Sequence, residues 1–405
     1  MAEPWDVVIV GAGPAGSSAA LAVLAQRPQA RVALVDAAAF PRDKACGDGL
    51  APQAVTLLSM LGVRNVTAGY QPVDRLRLRT PLGADVLCVP PHPAHVVPRA
   101  VLDERIRRAA LDAGAVPMQR RIREMRLRPG RVELGEELAG RVVVAADGAN
   151  STLRRALGLA GNPPAHLAIA VRGYADAPAG VPEQLIDTVA DGWPAYAWSF
   201  PVGDGSANIG FGKLRSRMSG PGREELYEPL AALLPGQPAR ADTLRAHHLP
   251  LSTWRPRQPD GRVLLVGDAA SLINPLTGEG IYYAVLSGML AGWSVVAAWD
   301  TSGPGEEPGA GTGAQYRRLL RRELGLHLAT TSMLSRLARS PEAFDAALRL
   351  AGRDETLMHR LVEIGLARGT LPPALLLRLL RAATREGLRA ARPSARRPRP
   401  MAVAG

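Results

Sequence analysis

The first forty residues alternate between short apolar runs, a glycine-rich turn and an alanine-rich stretch. Residues 5–10 (WDVVIV) form a β-rich run that ends at Gly11, residues 14–25 read as a helix, and residues 31–37 (RVALVDA) form a second apolar run. A strand, a tight turn, a helix and a parallel strand in this order open a doubly wound sheet. We therefore predict an α/β domain at the start of the chain.

Later segments follow two different hydrophobic patterns. A helix is expected at about 99–114, and apolar runs predict three more strands of the same sheet, at 131–136, 141–148 and 262–269. Alternating apolar and polar positions predict strands with one covered face, in segments 73–89, 166–176 and 193–212. We interpret the alternating segments as an antiparallel sheet inserted into the α/β domain.

The chain changes character after Trp299. Residues 301–315 are rich in glycine and proline and predict a flexible loop, whereas the register beyond them is helical to about residue 392 and ends in the basic tail RPSARRPRP. Segment 371–392 is amphipathic, with arginines on its polar side. We expect it to cover the sheet, and peripheral contact with an anionic membrane is the alternative.

Composition is that of a folded protein with a sizeable core, because 47% of the 405 residues are hydrophobic and 21% are charged. The two cysteines, Cys46 and Cys88, form no CxxC pair, which fits a reducing compartment. The start of the chain carries Glu3 and Asp6 where a secretory leader would be basic. We expect a cytoplasmic protein.

The net charge of +12 does not by itself indicate a nucleic-acid partner. We find no basic stripe with interleaved aromatic residues, no helix-turn-helix and no zinc finger, so we expect no binding of nucleic acid. The uncharged run at 280–299 is long enough to span a membrane. It follows a glycine-rich loop and contains Ser287 and Ser294, and we interpret it as a buried helix.

The glycine-rich turn has the spacing of a dinucleotide-binding site. Gly11, Gly13 and Gly16 form GxGxxG between the first strand and the first helix. The first glycine permits the tight turn, the second lets a pyrophosphate approach, and the third lets helix pack on strand. Asp36 closes the second strand, where a carboxylate can accept from ribose hydroxyls. Together these features predict a bound dinucleotide.

Two later strand-to-turn elements repeat this arrangement. One is VVVAADGANSTLRRALG (142–158), with Asp147, and the other is VLLVGDAASLINPLTGEGI (263–281). The second element contributes five residues to the expected cofactor site, namely Gly267, Asp268, Pro275, Gly278 and Gly280. Arg99 and Asp103, in VPRAVLDERI (97–106), lie at the start of the helix expected at about 99–114.

These elements resemble the motifs of the FAD-dependent family that includes para-hydroxybenzoate hydroxylase. The resemblance implies that the dinucleotide is FAD. It also implies that Asp268 contacts the ribityl or pyrophosphate portion, and that the backbone from Gly278 to Ile281 faces the flavin ring.

Four motifs closely resemble the geranylgeranyl reductase family of flavoproteins, which includes menaquinone-side-chain reductases. They are FPRDKACGDGL (40–50), AVRGYADA (170–177), YAWSFPVGDGSANIGFG (196–212) and INPLTGEGIYYAVLSG (273–288). The resemblance covers residues 5–300. It implies that the loop with Lys44 and Cys46 lies at the flavin and that the substrate cavity is lined by Tyr196, Trp198 and Phe200.

The resemblance also implies the fold class and the division of the chain. We expect an α/β protein with a Rossmann-like FAD-binding domain, an inserted antiparallel β-sheet substrate domain and C-terminal helices. The FAD-binding domain would comprise 1–72, 99–160 and 260–300, and the substrate domain 73–98 and 161–259. The flexible loop (301–315) and a helical region with a basic tail (316–405) would follow.

The expected reaction is reduction of a carbon–carbon double bond in an apolar, isoprenoid-like or polyketide-like substrate. An isolated alkene has no carbonyl to polarise it, so a hydride from the flavin must be matched by a proton for the other carbon. Cys46 is our candidate donor. Arg42 and Lys44 would lower its pKa and an apolar cavity would raise it, and the residues alone leave the balance open. No second GxGxxG exists, so NAD(P)H or ferredoxin would deliver electrons transiently.

Several alternatives stay open at this point. One is an FAD-dependent monooxygenase, epoxidase or dehydrogenase of a specialised-metabolite pathway, and another is a cyclase whose FAD is structural. A flavin halogenase would need a tunnel lysine, and the chain has only Lys44 and Lys213. We expect no metal site, since no cluster surrounds His92 and His95, and we interpret the histidine pair at 247–248 as structural. The oligomeric state stays open. So does the substrate, because archaeal members have CxGG where this chain has Cys46-Gly47-Asp48-Gly49.

Overall fold

We describe the protein from a computed structural model, which covers residues 3–220, 222, 224–300 and 309–390. The first part of the predicted flexible loop (301–308) and the end of the chain from residue 391, with the basic tail, lie outside these residues.

The described chain forms seventeen strands and ten α-helices. The strands are β1 (Trp5–Val10), β2 (Val32–Asp36), β3 (Gly49–Leu50), β4 (Pro72–Val73), β5 (Leu76–Arg79), β6 (Asp85–Cys88), β7 (Ala94–Val96), β8 (Val116–Gln119), β9 (Met125–Arg128), β10 (Arg131–Leu134), β11 (Leu138–Ala145), β12 (Leu167–Asp176), β13 (Gln184–Val189), β14 (Ala195–Pro201), β15 (Ser206–Leu214), β16 (Arg245–Pro250) and β17 (Val263–Leu265). The helices are α1 (Pro14–Leu24), α2 (Pro52–Met60), α3 (Arg99–Asp112), α4 (Thr152–Ala156), α5 (Tyr227–Leu233), α6 (Ile281–Asp300), α7 (Thr312–Leu337), α8 (Pro341–Ala351), α9 (Glu355–Leu366) and α10 (Pro373–Ala390).

The first sheet has the order β8-β2-β1-β11-β10-β9. Strand β10 pairs with residues 138–140 at the start of β11, and β17 pairs with residues 143–145 at its end. Strands β8, β2, β1, β11 and β17 are parallel, and β9 and β10 add an antiparallel edge. Strand β1 lies in the middle of this sheet, and its apolar residues do not alternate with polar ones because both of its faces are covered. Val7, Val8 and Ile9 of β1 are fully buried. The predicted doubly wound α/β domain is confirmed.

Helices α1 and α6 pack closely against each other beside this sheet. A Cβ atom at Gly288 would lie 2.1 Å from the carbonyl oxygen of Ala15, and one at Gly292 would lie 2.7 Å from that of Ala19. Helix α6 is the one described helix long and apolar enough to cross a membrane, and 83% of its apolar window is buried inside the fold. The prediction of a buried helix at 280–299 is confirmed.

The second sheet has the order β16-β12-β15-β14-β13-β5-β6. Its pairs are antiparallel except β13 with β5, which is parallel, so the prediction of a wholly antiparallel sheet was incomplete. One face packs on α5 through a cluster that contains Val171, Ile209, Phe211, Leu226 and Leu230. The other face points toward the first sheet. A third, small sheet of β3, β7 and β4 lies after the Cys46 loop.

Helices α7 to α10 close the far end of the molecule. Their apolar side chains form one cluster with the β5–β6 hairpin, and its buried members include Ala84, Cys88, Leu334, Leu348, Leu357, Met358 and Leu379. Helix α10 therefore packs against α8 and the edge hairpin of the second sheet. It leaves Leu377 and Arg378 exposed, and the membrane contact suggested for this segment stays a prediction.

Candidate active site

A cavity of about 740 Å³ lies between the two sheets and continues to the C-terminal helices. The carboxyl ends of β1, β2, β11 and β17 face it, which is where ligands bind in open α/β sheets. Fifteen of the seventeen predicted site residues line this cavity: Gly11, Gly13, Asp36, Lys44, Cys46, Arg99, Asp147, Tyr196, Trp198, Phe200, Gly267, Asp268, Gly278, Gly280 and Ile281. Gly16 and Pro275 do not line it.

The glycine turn after β1 has the geometry that the motif predicts. Gly11 has φ of +105°, and a Cβ atom there would lie 2.2 Å from the carbonyl oxygen of Ala146. A Cβ at Gly16 would lie 1.8 Å from the carbonyl oxygen of Gly11, so only glycine lets α1 pack on β1. Asp36 accepts hydrogen bonds from the backbone N–H groups of Ala12 (2.8 Å) and Ala38 (2.9 Å), which hold its carboxylate at the rim.

The N-terminus of α1 supplies the field that a pyrophosphate needs. No side chain caps this helix at Gly13, and Gly13, Pro14 and Ala15 all line the cavity. Free backbone N–H groups and the helix dipole together favour an anion at this position.

Asp268 is a cavity carboxylate with a lysine and a histidine beside it. Its Oδ2 accepts a hydrogen bond from Nζ of Lys44 at 3.0 Å and lies 3.9 Å from Nε2 of His247. Burial opposes ionisation, but Lys44 and His247 outweigh it, so the pKa of Asp268 is well below its usual range. Burial lowers the pKa of His247, and its Nε2 has no hydrogen-bond partner.

Asp147 occupies the corresponding position after β11. Its carboxylate accepts from the hydroxyl of Ser151 (2.6 Å) and from the backbone N–H groups of Thr152 (2.7 Å) and Leu153 (3.1 Å). Burial raises its pKa in spite of these donors. Asp147 therefore caps α4 while facing the cavity, and direct contact with a cofactor stays a prediction.

The loop before α6 contains the remaining predicted glycines. Gly278 has φ of +74°, and a Cβ there would lie 2.9 Å from the hydroxyl of Tyr196. That hydroxyl donates to the carbonyl oxygen of Thr277 at 2.6 Å. The loop thus places backbone atoms and the start of α6 directly against the second sheet.

Arg99 and Cys46 both line the cavity, and Arg99 is the cation that acts on the Cys46 thiol. Arg99 makes a two-pronged, buried ion pair with Asp103 (2.6 and 2.8 Å), and Arg42 reaches the same carboxylate at 3.1 Å. Burial raises the pKa of the Cys46 thiol, while the positive charge of Arg99 lowers it and the negative charge of Asp48 raises it. The net direction is upward, so Cys46 is a thiol at neutral pH.

The balance that the sequence left open is therefore decided by burial. Lys44, which we expected to favour the thiolate, is paired with Asp268 instead, and Arg42 is paired with Asp103.

The aromatic residues of β14 form the wall opposite the glycine turns. Tyr196, Trp198 and Phe200 alternate along the strand and all face the cavity, as predicted. The indole N–H of Trp198 donates to Oδ1 of Asn208 at 2.8 Å. A Cβ at Gly210 would lie 2.0 Å from the Trp198 ring, so the indole lies flat over a glycine of β15.

Beyond these aromatic residues the cavity opens into an apolar chamber between the C-terminal helices. The chamber is lined by Leu334 and Leu337 of α7, Phe344, Ala347 and Leu348 of α8, Met358, Leu361 and Val362 of α9, and Leu379 of α10. Sequence reasoning missed this wall, because amphipathic helices show which residues are apolar but not which of them border a cavity.

The comparisons with known proteins agree with this architecture. A family model described as an FAD binding domain matches residues 4–177. The structure of a geranylgeranyl bacteriochlorophyll reductase-like protein from Thermoplasma acidophilum superposes with a TM-score of 0.76 at 19% identity and covers 96% of this chain and 98% of its own. A flavin-dependent brominase variant superposes with a TM-score of 0.70 at 18% identity, over 95% of this chain and 100% of its own. These results show a Rossmann-type fold with an FAD binding domain in the first half of the chain.

Sequence relatives narrow the class. A menaquinone reductase from Mycolicibacterium smegmatis is 37% identical over 320 residues, which is 71% of this chain and 75% of the relative. A digeranylgeranylglycerophospholipid reductase from Methanopyrus kandleri is 32% identical over 317 residues, 73% of this chain and 81% of the relative. The chain belongs to the geranylgeranyl reductase family of FAD-dependent oxidoreductases.

The residues of the cavity fit FAD. Gly11 and Gly13 present backbone without side chains to the cavity, the first turn of α1 has no side-chain cap, and Nε2 of His247 is a buried polar atom without a hydrogen-bond partner. At the other end, the loop from Gly278 to Ile281 presents backbone and the N-terminus of α6.

Proposed function

We propose that this protein reduces a carbon–carbon double bond of an apolar isoprenoid chain. The observation that carries the proposal is the continuity of the cavity, which runs from the glycine turns past Cys46 and Tyr196 into the apolar chamber. A flexible hydrocarbon tail fits such a chamber. The names of the relatives specify menaquinone and digeranylgeranylglycerophospholipid, which supports this substrate class.

The residues around the glycine turns would hold FAD, which, once reduced, supplies a hydride to one carbon of the double bond. Gly11, Gly13 and the start of α1 would bind the pyrophosphate, and Asp36 the adenosine ribose. Lys44 and Asp268 would bind the polar chain that leads to the flavin ring.

Cys46 would donate the proton to the other carbon. It faces the cavity, and its raised pKa keeps it protonated before each turnover. A general acid must hold its proton until the reaction takes it. Between turnovers the thiolate would take a proton back from water.

The aromatic wall would orient the chain. Tyr196 and Trp198 have ring centroids 6.0 Å apart, and their hydroxyl and N–H groups are already engaged by Thr277 and Asn208. They therefore present apolar faces, which suit an alkene and exclude water from the reacting carbons.

We infer a transient electron donor, either NAD(P)H or a ferredoxin. The GxGxxG turn and Asp36 are assigned to FAD, and the chain has no second GxGxxG. Comparing the rates at which NADPH, NADH and reduced ferredoxin bleach the bound flavin identifies the donor. Inertness toward all three would contradict the inference.

The proposal is tested by reoxidation of the reduced flavin without oxygen. We expect that the FAD-loaded protein, reduced by dithionite and mixed anaerobically with menaquinone or geranylgeranyl diphosphate, recovers its oxidised absorbance. The product should be heavier by two hydrogens. Cys46→Ala should slow this step at least about 100-fold, because one positioned proton donor contributes about that factor.

Cys88→Ala is the matched control, since Cys88 is buried in the helical cluster and does not line the cavity. It should reoxidise at the wild-type rate. Flavin that stays reduced until air is admitted would contradict the proposal and favour a monooxygenase. Substrate conversion with an unreducible flavin analogue would favour a redox-neutral cyclase.

Neither lysine supports a halogenase. Lys44 is paired with Asp268, and Lys213 with Glu225 on the second sheet. The brominase likeness, at 18% identity, reflects the fold.

A further inference from the structure

Asp48, two residues after Cys46, is a fully buried carboxylate in an uncommon backbone conformation. Its φ is +58°, a region that aspartate and asparagine tolerate better than most residues, and its exposed fraction is 0%. Its carbonyl oxygen accepts from the N–H of Val97 at 2.9 Å. The fold thus holds an acid inside the loop that presents the thiol.

The Asp48 side chain ties this loop to the second sheet. Its Oδ2 accepts from the hydroxyl of Tyr174 and from Nδ2 of Asn208, the latter at 2.7 Å. The same Nδ2 donates to the carbonyl oxygen of Cys46 at 2.8 Å. Oδ1 of Asp48 is buried and has no hydrogen-bond partner. Asn208 therefore links the Cys46 backbone to the Asp48 side chain. Only one of the two carboxylate oxygens of Asp48 takes part in these hydrogen bonds.

Charged and titratable groups face the Cys46 loop from several elements. Arg99 begins α3, Arg172 and Tyr174 lie on β12, and Tyr196 lies on β14, with Tyr70 farther away. Arg172 is engaged by Asp43 and by the carbonyl oxygen of Lys44, and Arg99 by Asp103. The positive charge of Arg99 nevertheless favours the thiolate form of Cys46, and the negative charge of Asp48 disfavours it.

We propose that Asp48 is a positioning residue that holds the Cys46 loop against the second sheet and, as a buried anion, opposes Arg99 and so adds to burial in keeping Cys46 in its thiol form. The proposal rests on the proton-donor role of Cys46 proposed above. It requires that Asp48 be ionised at neutral pH, which agrees with its pKa of about 6, raised by burial and held down by Tyr174, Arg172 and Asn208.

The sign of the effect follows from electrostatics. A negative charge beside a thiol disfavours the thiolate, so removing that charge lowers the pKa of the thiol. Asp48→Asn removes the anion that offsets the effect of Arg99 on the thiol, and the side chain keeps its shape and its tolerance of positive φ.

The test measures the thiol directly. The FAD-loaded protein is alkylated with iodoacetamide across pH 6 to 11, and modification of the Cys46 peptide is followed by mass spectrometry, which separates it from Cys88. We expect the midpoint of the rate profile to fall by about one pH unit in Asp48→Asn, the order expected for one nearby charge. The alkaline limb of the reduction rate should move by the same amount.

Two controls separate charge from structure. Tyr174→Phe removes a hydrogen bond to Asp48 but leaves its charge in the alkaline range where the thiol titrates, and Asp176→Asn removes an exposed charge two residues farther along β12. Neither should lower the midpoint. Should Asp48→Asn fail to fold, Asp48→Gly removes the charge at a position where φ suits glycine.

An unchanged midpoint in both Asp48 variants would overturn the proposal, and so would an equal downward shift in Tyr174→Phe. Because alkylation does not depend on turnover, these outcomes are independent of the Cys46→Ala experiment, which tests the donor role itself.

Discussion

At the scale of single residues, Glu279 is a cavity carboxyl that no motif marked as chemical. It lies just before α6, and its Oε1 accepts from the backbone N–H of Tyr282 at 2.8 Å. Burial raises its pKa to about 7 and outweighs the backbone donors and Arg99, which lower it. The neutral acid is therefore the main form below pH 7.

This carboxyl makes the stability of the protein depend on pH. At pH values between the ordinary pKa of a glutamate and about 7, Glu279 is protonated in the folded protein but has released its proton in the unfolded chain. The folded protein therefore becomes less stable relative to the unfolded chain as pH rises through this range. Glu279→Gln, which stays neutral, should gain roughly a few degrees in melting temperature relative to wild type between pH 5 and pH 8. Thermal melts of the FAD-free protein at both pH values measure this.

Exposed Glu228→Gln is the control and should differ from wild type by the same amount at both pH values. If the difference between Glu279→Gln and wild type is also constant, the pKa of Glu279 is not raised.

Individual site residues could be predicted where a backbone requirement selects the amino acid. Gly11 and Gly16 are such positions, because any Cβ atom would collide with backbone there. His247 could not be predicted in this way. It reaches the cavity because β16 pairs with β12 in a register that places it opposite Ala170, and a register between distant strands leaves no local signal.

At the scale of secondary-structure elements, the contact between α1 and α6 depends on small residues. Gly288→Ala would bring a Cβ atom to within 2.1 Å of a carbonyl oxygen of α1, so the helices must separate. We expect a loss of about 3 kcal/mol in the free energy of unfolding, as for strongly overpacked cores. Chemical denaturation gives the value.

Gly325→Ala on α7 provides the comparison. A Cβ atom there meets only the flexible side chain of Arg321 at 3.5 Å, so alanine should stabilise the helix by up to about 1 kcal/mol. Equal effects of the two substitutions would show that helix propensity outweighs packing at Gly288.

The hydrophobic pattern of the sequence predicted which segments are strands and which are helices. It did not predict where each strand ends or which strands pair with each other. The predicted strand at 262–269 ends at Leu265, because Gly267 has φ of +55° and starts a 3-10 turn. The parallel pairing of β5 with β13 joins segments about a hundred residues apart, which no local pattern specifies.

At the scale of the whole molecule, the apolar chamber exists only because α7 to α10 assemble over the edge of the second sheet. Ala347→Trp should fill part of the chamber. We expect it to raise the KM for long isoprenoid chains at least about tenfold and to affect short chains little, since the lost space lies among the C-terminal helices. Steady-state kinetics with substrates of different chain length measure the contrast.

Ala329→Trp is the matched substitution on the exposed side of α7 and should leave both KM values unchanged. An equal rise of KM for short and long chains in Ala347→Trp would mean that the chamber does not receive the tail.

The chamber has a further consequence for which bond reacts. An isoprenoid chain repeats the same double bond every few carbons, and these bonds are chemically almost identical, so reactivity cannot select among them. If the proposed tail binds in the chamber that Phe344 and Met358 help to line, the depth of the chamber would set how far the tail can enter. The double bond that is reduced would then be the one at a fixed distance from the end of the isoprenoid chain. Regioselectivity would depend on the depth of the chamber and not on differences in reactivity among the double bonds.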